Sequence, residues 1–176
     1  MRTIFRATSH FLEGVRQDLA RLHAFAAERV GFISVRAAYA GENLLLLAHE
    51  YHPVDDADYV NDPSVGAMMS QEAIRKALNI ALLQPMGMIH VHMHGHRGLP
   101  GFSKIDLSEQ TNFVPDFFKV RKGMPHGAVV LSQDKAAGRI WINLTAISDI
   151  QEFNIVGWRY SLFSGLRRTH GLGGKA

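Results

Sequence analysis

A row of histidines at every second position constrains this chain more than any other feature of its sequence. The stretch "MIHVHMHGH" has histidine at positions 90, 92, 94 and 96, alternating with Ile89, Val91 and Met93. Side chains two residues apart on a strand share one face of a sheet, so a strand over residues 86–94 would bury its apolar face and hold the imidazoles on the other. Glycines at positions 95 and 98 predict that this strand ends near His94.

Apolar periodicity predicts the other elements of the fold. Helical spacing covers residues 9–28 and 70–83, with Ser9 and Ser70 as N-caps, and a short third helix runs from Ser103 to near Pro115. Strands are predicted over residues 2–7, 30–38, 44–52, 86–94, 127–132 and 139–147. This order predicts an α/β fold, a mixed sheet flanked by helices, as a single domain over residues 1–165 with a flexible tail over 166–176.

Composition excludes several kinds of protein. The 176 residues fit one domain, and a hydrophobic share of 47% is enough for a sizeable core. No apolar run approaches the roughly 20 residues of a membrane helix, and the first residues lack the apolar stretch of a signal peptide, so we expect a cytoplasmic protein with no membrane partner. The net charge of +3 comes from scattered lysines and arginines, so we expect no nucleic-acid partner.

The absence of cysteine decides what a metal site could contain. Without thiolates, a metal ion must be held by His, Asp, Glu and water. Two imidazoles on one face of a strand can reach one ion, and Asp106 follows a glycine-rich loop that could return to that strand. Two plainer interpretations compete, because "SKID" (103–106) is also a capping box at a helix start and alternating histidines could line a solvated strand face.

The pattern H-x-H, then a loop, then S-x-x-D resembles the JAMM signature of the MPN/Mov34 (JAB) zinc metalloproteases. Upstream, "AERVGFI" places Glu28, Gly31 and Ile33 in the E-x-x-G-x-hydrophobic pattern of that family. The resemblance covers roughly residues 8–145 and implies the MPN/JAB architecture, which is cytidine deaminase-like. The stretch from "GFSKID" to "GRIW" is particularly similar to bacterial JAB proteins of ubiquitin-like conjugation systems.

The resemblance implies a role for each matching residue. These residues are His92, His94 and Asp106 as ligands of one zinc ion, Ser103 as hydrogen-bond donor to the tetrahedral intermediate, and Glu28 as general acid and base. Judged by spacing alone, Glu50 is an equally good candidate for that acid and base, and only the resemblance favours Glu28.

The spacing of the signature departs from the family in two ways. Eight residues separate His94 from Ser103 where the family pattern has seven, and Gly95 stands where the family often has proline. A loop one residue longer would absorb the first difference, and the second touches no ligand. The alternative histidine pairs, 90 with 92 or 94 with 96, fit the signature less well and stay open.

The resemblance implies a zinc-dependent isopeptidase or endopeptidase. It would remove or mature a ubiquitin-like protein at its C-terminal glycine by attack of a zinc-bound water, as a deubiquitinase-like bacterial hydrolase with a role in antiphage defence. Its partners would be that modifier and activating (E1-type) and conjugating (E2-type) enzymes. The alternatives are a non-catalytic MPN-type scaffold and a JAB hydrolase acting on a sulfur-carrier protein or a small amide, and the oligomeric state stays open.

Overall fold

A nine-stranded mixed sheet runs through the part of the chain that the computed structural model describes, residues 1–157 and 161–165. The strands are β1 (Arg2–Thr8), β2 (Val30–Ala40), β3 (Asn43–Pro53), β4 (Gly87–Met93), β5 (His126–Leu131), β6 (Ala136–Trp141), β7 (Ile147–Asp149), β8 (Glu152–Val156) and β9 (Ser161–Ser164). The α-helices of the same part of the chain are α1 (Ser9–Leu19), α2 (Gln71–Leu83) and α3 (Lys104–Val120). The predicted mixed α/β sheet with flanking helices is confirmed.

The order of strands across the sheet is β7-β6-β5-β4-β2-β3-β1-β8-β9. Three neighbouring pairs are parallel, namely β1 with β3, β1 with β8, and β4 with β5. The other pairs are antiparallel. The histidine strand β4 therefore lies inside the sheet, between β2 and β5, where its backbone is paired on both sides.

Helices cover both faces of the sheet. On one face α1 packs its apolar stripe of Leu12, Val15 and Leu19 into the cluster that contains Ile89 and Val91 of β4. On the other face α2 packs three alanines and α3 packs phenylalanines and a valine into a second core cluster. The alternating side chains of β4 divide between these layers as predicted, with Ile89, Val91 and Met93 under α1 and the histidines facing α2 and α3.

The N-caps of two helices test the predicted helix starts. The hydroxyl of Thr8 accepts a hydrogen bond from the backbone N–H of Phe11 (3.1 Å), so Thr8 and not Ser9 caps α1. The hydroxyl of Ser70 accepts from the N–H of Ala73 (3.2 Å), which confirms the predicted cap of α2.

The first helix is shorter than the prediction of residues 9–28. It ends at Leu19, and Leu22 is 95% exposed although it matches the helical spacing of apolar residues. The cause is Arg29, whose guanidinium donates hydrogen bonds to the carbonyl oxygens of Arg21 and Leu22 at 2.9 Å each. Because these carbonyl oxygens accept hydrogen bonds from a side chain and not from the backbone N–H groups of a further helical turn, α1 ends before the helical spacing of apolar residues does.

The third helix continues past Pro115, contrary to the predicted end there. A proline inside a helix costs about 3 kcal/mol through a lost hydrogen bond and a steric clash. Beyond it, Phe117 and Phe118 are only 1% and 5% exposed. Burying such side chains contributes about 1.5–3 kcal/mol each, so packing of the last helical turns offsets the proline.

The strand predicted over residues 139–147 is two strands joined by a turn. Oδ1 of Asn143 accepts hydrogen bonds from the backbone N–H groups of Thr145 and Ala146, at 2.9 Å each, and this turn separates β6 from β7. Strands β8 and β9, which no periodicity indicated, extend the sheet beyond β1. The predicted tail over residues 166–176 lies outside the described residues. None of the described helices is both long and apolar enough to span a lipid bilayer.

Candidate metal centre

The antiparallel pairing of β2 with β4 brings Glu28 to the histidine row. Val30 of β2 lies opposite His92 of β4, so continuing the register by two residues places Glu28 beside His94. A carboxylate oxygen of Glu28 and Nε2 of His94 are 3.9 Å apart. One ligand atom from each of Glu28, His92 and His94 lies within 4.8 Å of the other two, an arrangement that could hold a metal ion.

His92 is the most buried member of this group. Its side chain is 2% exposed, and neither ring nitrogen has a hydrogen-bond partner within the described residues. Burial lowers the pKa of His92, although the nearby Asp106 carboxylate opposes this. A neutral imidazole with a free lone pair is the form that binds a metal ion. An unpartnered buried polar group costs about 1–3 kcal/mol, and a metal ion or water bound at His92 would remove that cost.

Asp106 reaches the same place from the N-terminus of α3. Its Oδ2 lies 3.7 Å from Nε2 of His92. The same oxygen accepts a hydrogen bond from the backbone N–H of Ser103 (2.7 Å), and the Ser103 hydroxyl accepts one from the N–H of Asp106 (3.1 Å). The capping box that was the plainer interpretation is therefore present. It does not compete with the site, because it holds the carboxylate of Asp106 against His92.

Glu28 combines partial burial with a shifted acidity. Its side chain is 33% exposed. Burial raises the pKa of Glu28 above its ordinary value, while His94 acts in the opposite direction and Asp106 adds to the increase. A carboxylate whose pKa moves toward neutrality is suited to accept a proton and return it during one reaction cycle.

Three contacts fix the segment that carries Glu28. The backbone N–H of Glu28 donates to the carbonyl oxygen of Gly66 (3.0 Å). The neighbouring Arg29 is 3% exposed and forms two hydrogen bonds with the carboxylate of Asp56, at 2.6 and 3.2 Å. Charge-assisted bidentate pairs of this kind are geometrically specific. The loop that follows β3 is therefore tied to the start of β2 at Glu28 and at Arg29.

The converging side chains line one end of a cavity of about 290 Å³. Its walls come from β4, α2, α3 and the loop over residues 65–69. The polar residues in the wall are Glu28, His90, His92, His94, Ser103, Asp106, Glu109 and Gln110. A second cavity of about 680 Å³ lies on the α1 side of the sheet, next to β9, and contains none of the predicted site residues.

The structure places the competing candidates elsewhere. Glu50 lies on β3 with its side chain 55% exposed, and its Oε2 is 3.9 Å from Nε2 of His52. His96 follows the end of β4 and is exposed, with Nδ1 2.9 Å from the carbonyl oxygen of Arg97. Glu28 therefore shares a cavity with the histidine row and Glu50 does not. Of the alternating histidines, those at 92 and 94 are grouped with an acidic residue.

His126, to which the sequence assigns no role, is a structural residue at the start of β5. Its Nδ1 accepts a hydrogen bond from the backbone N–H of Met88 (3.1 Å), and its Nε2 donates to the carbonyl oxygen of Arg121 (3.0 Å). The ring stacks on Phe117 and meets Phe118 edge to face. Burial lowers the pKa of His126 to about 4, so the neutral ring joins β4, β5 and the end of α3.

Two residues of the site were not found from the sequence. Gly66 contacts Glu28 through a loop whose position depends on distant parts of the chain, and no local pattern indicates it. Gln110 lies four residues after Asp106 on α3, so helical spacing places both side chains on one face. That spacing is a signal that could have identified Gln110 once Asp106 was assigned.

The donor set fits zinc. Imidazole nitrogens and carboxylate oxygens are zinc ligands, and catalytic zinc sites have three protein ligands with a fourth position open. His92 offers two ring nitrogens that have no hydrogen-bond partner within residues 1–157 and 161–165. Both Glu28 and Asp106 lie within 4 Å of an imidazole nitrogen. Which carboxylate is the third ligand stays a prediction, with Asp106 the residue that the resemblance implies.

No protein-family model matches this chain, and a search of curated proteins finds no similar one.

Proposed function

We propose that this protein is a zinc-dependent peptidase that cleaves the amide bond after the C-terminal glycine of a ubiquitin-like protein. The observation that carries the proposal is the convergence of Glu28, His92 and His94 within 4.8 Å, around a buried histidine that has no hydrogen-bond partner in the described chain. The JAMM-like spacing of Ser103 and Asp106 beside this group supports the same function.

In this proposal His92, His94 and Asp106 hold the zinc ion. When bound, zinc supplies two kinds of chemistry, a lowered pKa of a coordinated water and polarisation of the substrate carbonyl. The capping box prepares Asp106 for this role, because its carboxylate is already held by the N–H of Ser103. Burial keeps His92 neutral at physiological pH, so no proton has to leave before it binds a metal.

Glu28 acts as the proton carrier. It accepts the proton of the attacking water and passes it to the nitrogen of the leaving amine. The raised pKa of Glu28 brings its two protonation states closer in free energy, which makes both transfers easier. The hydrogen bond from its backbone to Gly66 keeps the side chain at the cavity rim, where a scissile amide can reach it.

Ser103 stabilises the negative charge that develops on the substrate carbonyl oxygen. Its hydroxyl oxygen already accepts a hydrogen bond from the N–H of Asp106, at 3.1 Å. The hydroxyl proton has no acceptor within the described residues and is free to point into the cavity. A donor positioned in this way typically contributes about 2.7–4 kcal/mol to transition-state stabilisation.

The scaffold alternative does not account for the buried polar groups. A non-catalytic protein would gain stability by replacing the unpartnered His92 with an apolar residue. The alternative substrates, a sulfur-carrier protein or a small amide, need the same catalytic group and differ only in what enters the cavity. The modifier's E1-type and E2-type enzymes are proposed as further partners on the strength of the sequence resemblance.

Cleavage assays test this function. Zinc-loaded protein is incubated with a ubiquitin-like linear fusion, an isopeptide-linked conjugate, a sulfur-carrier fusion and short peptide amides. We expect cleavage after the terminal glycine that a chelator abolishes and added zinc restores. Glu28→Gln should be inactive, while Glu50→Gln, which changes a similar carboxylate outside the cavity, should retain activity. Cleavage that survives complete zinc removal, or equal activity of both variants, would contradict the proposal.

A further inference from the structure

A second pair of polar side chains, Gln110 and His90, lines the cavity together with the proposed metal ligands. Gln110 follows Asp106 by four residues on α3, and His90 precedes His92 by two residues on β4. The step from Asp106 to Gln110 along α3 is about 6 Å, and the step from His92 back to His90 along β4 is about 6.6 Å. The two steps are therefore nearly equal in length, and all four residues line the same cavity. The pair of Asp106 and His92 is therefore followed by the pair of Gln110 and His90.

This second pair has hydrogen-bonding groups without partners in the described chain. Gln110 is 1% exposed, and neither its amide nitrogen nor its amide oxygen has a partner within residues 1–157 and 161–165. His90 is 9% exposed, and its Nε2 is also without a partner there. Native proteins satisfy the large majority of buried polar atoms. Both residues line the same cavity, so a molecule that enters it can supply the missing hydrogen bonds.

The surroundings favour an uncharged ligand group. The carboxylates of Glu28, Asp106 and Glu109 line the cavity and disfavour an anion. The ring of His90 itself meets Phe32 and Phe113 edge to face, so a cation placed against that ring would lose its hydration with no counter-charge at that point. The cavity of about 290 Å³ is at the lower end of ligand-pocket sizes, so the group that fits it is small.

We propose that Gln110 and His90 form a recognition pocket for an uncharged carboxamide next to the reaction centre. A side-chain amide carries an NH2 group that donates and an oxygen that accepts on one planar group, and a second carboxamide can pair with both. His90 then accepts from or donates to the same ligand group. The role of this pocket in substrate selection rests on the proposed function. In that role the pocket favours substrates with an asparagine or glutamine side chain beside the scissile bond.

The test uses small probes and does not depend on catalysis. The full chain, labelled with ¹⁵N and freed of metal so that propionate has no ion to bind, is titrated with propionamide, propionate and butan-2-one while the side-chain amide signals are followed by NMR. The three probes have similar shapes and differ in having both donor and acceptor, a negative charge, or an acceptor alone. We expect propionamide to shift the Gln110 amide signals and to bind at least about tenfold more tightly than the other two, because it makes one more hydrogen bond than butan-2-one.

The matched variants are Gln110→Met and Gln71→Met. Methionine keeps the length of glutamine and removes its polar atoms, and Gln71 is an exposed glutamine on α2 outside the cavity. We expect Gln110→Met to lose about tenfold or more in propionamide affinity while its melting temperature stays equal or rises, because an unpartnered polar group is removed. Gln71→Met should bind propionamide as the unmodified chain does, and the zinc content should be the same in all three proteins.

Several outcomes would overturn the pocket. Equal binding of propionamide and butan-2-one would mean that Gln110 and His90 hold buried water only. Unchanged affinity in Gln110→Met would mean the same. If Gln110→Met fails to fold, contacts between propionamide and the Gln110 amide in the unmodified chain decide the question. Selective propionamide binding together with absent peptidase activity would leave the pocket standing and reject the proposed function.

Discussion

The carbonyl oxygen of Gly66 accepts a 3.0 Å hydrogen bond from the backbone N–H of Glu28, and the Cα of Gly66 faces the Glu28 carboxylate. A Cβ on residue 66 would lie 3.1 Å from both Cδ and Oε2 of Glu28. Because glycine has no side chain, the Glu28 carboxylate can lie close to residue 66. The loop over residues 65–69 thus determines where the carboxylate lies.

Replacing Gly66 by alanine should displace the Glu28 carboxylate without unfolding the protein. A contact of 3.1 Å forces the carboxylate to move by less than the roughly 1 Å that can cost about 100-fold in rate, so we expect Gly66→Ala to lower kcat by up to about 10-fold. Gly14→Ala is the control, since a Cβ at this α1 position meets no atom within 4 Å. It should leave kcat unchanged and raise stability by about 0.5–1 kcal/mol. Equal kcat values for the two variants would show that Gly66 does not position Glu28.

Replacing Glu28 by glutamine separates proton transfer from metal binding. In the proposed mechanism Glu28 carries a proton and Asp106 binds the metal, so Glu28→Gln should keep its zinc and lose about 100- to 10,000-fold in kcat. Asp106→Asn should lose zinc. Metal analysis and single-turnover rates measure the two effects. Because Glu28 lies in the tightest group with His92 and His94, zinc loss in Glu28→Gln would instead make Glu28 a ligand.

Ser103 has two roles that substitutions can separate. Ser103→Ala removes both the cap of α3 and the proposed oxyanion donor, so we expect a loss of about 1 kcal/mol in stability and about 100- to 1,000-fold in kcat. Ser103→Asn retains an oxygen that can accept from the N–H of Asp106 and should restore stability only. Chemical denaturation and kinetics are measured on both variants. Full activity in Ser103→Ala would leave this residue with the capping role alone.

Acidification should destabilise the fold through His126. The unfolded side chain has its ordinary pKa of 6.5, whereas burial lowers the pKa in the folded protein to about 4. Between these values the unfolded chain binds more protons, so the contribution is fully present above pH 6.5 and is lost as the pH falls toward 4. From pH 7 to pH 5 the loss is about 2 kcal/mol for this group.

Comparison with His126→Asn isolates that contribution. The free energy of unfolding is measured for both proteins without metal at pH 7, 6 and 5, so that the other histidines contribute equally and cancel. We expect the original chain to be more stable at pH 7 and its advantage to shrink by about 2 kcal/mol at pH 5. An advantage that does not change with pH would contradict the neutral, doubly hydrogen-bonded ring seen between Met88 and Arg121.

The features that the sequence predicts correctly are those that depend on near neighbours in the chain. The alternation around His92 assigns the two faces of β4, and Ser70 is the predicted N-cap of α2. The S-x-x-D pattern likewise predicts the capping box of Ser103 and Asp106. In each case the determining residues lie within about one turn or a few strand positions of each other.

The features that the sequence did not predict depend on contacts between distant residues. The end of α1 is set by Arg29, and the helical path past Pro115 is set by the packing of Phe117 and Phe118. The meeting of Glu28 with His94 requires the β2–β4 register, which no pattern in either segment specifies. The sequence spacing thus makes both Glu28 and Glu50 candidates for the acid and base. Only the folded chain shows that Glu28 lines the cavity of the histidines and Glu50 does not.

Zinc content tests the central claim most directly. Metal analysis is carried out on the purified chain, on His92→Asn, on Asp106→Ala and on the control His96→Ala, whose side chain is exposed beyond the end of β4. The account predicts about one zinc ion per chain in the original protein and in His96→Ala, and none in the two ligand variants. No zinc in the original protein after saturation with the metal, or full zinc retention in His92→Asn, would contradict it.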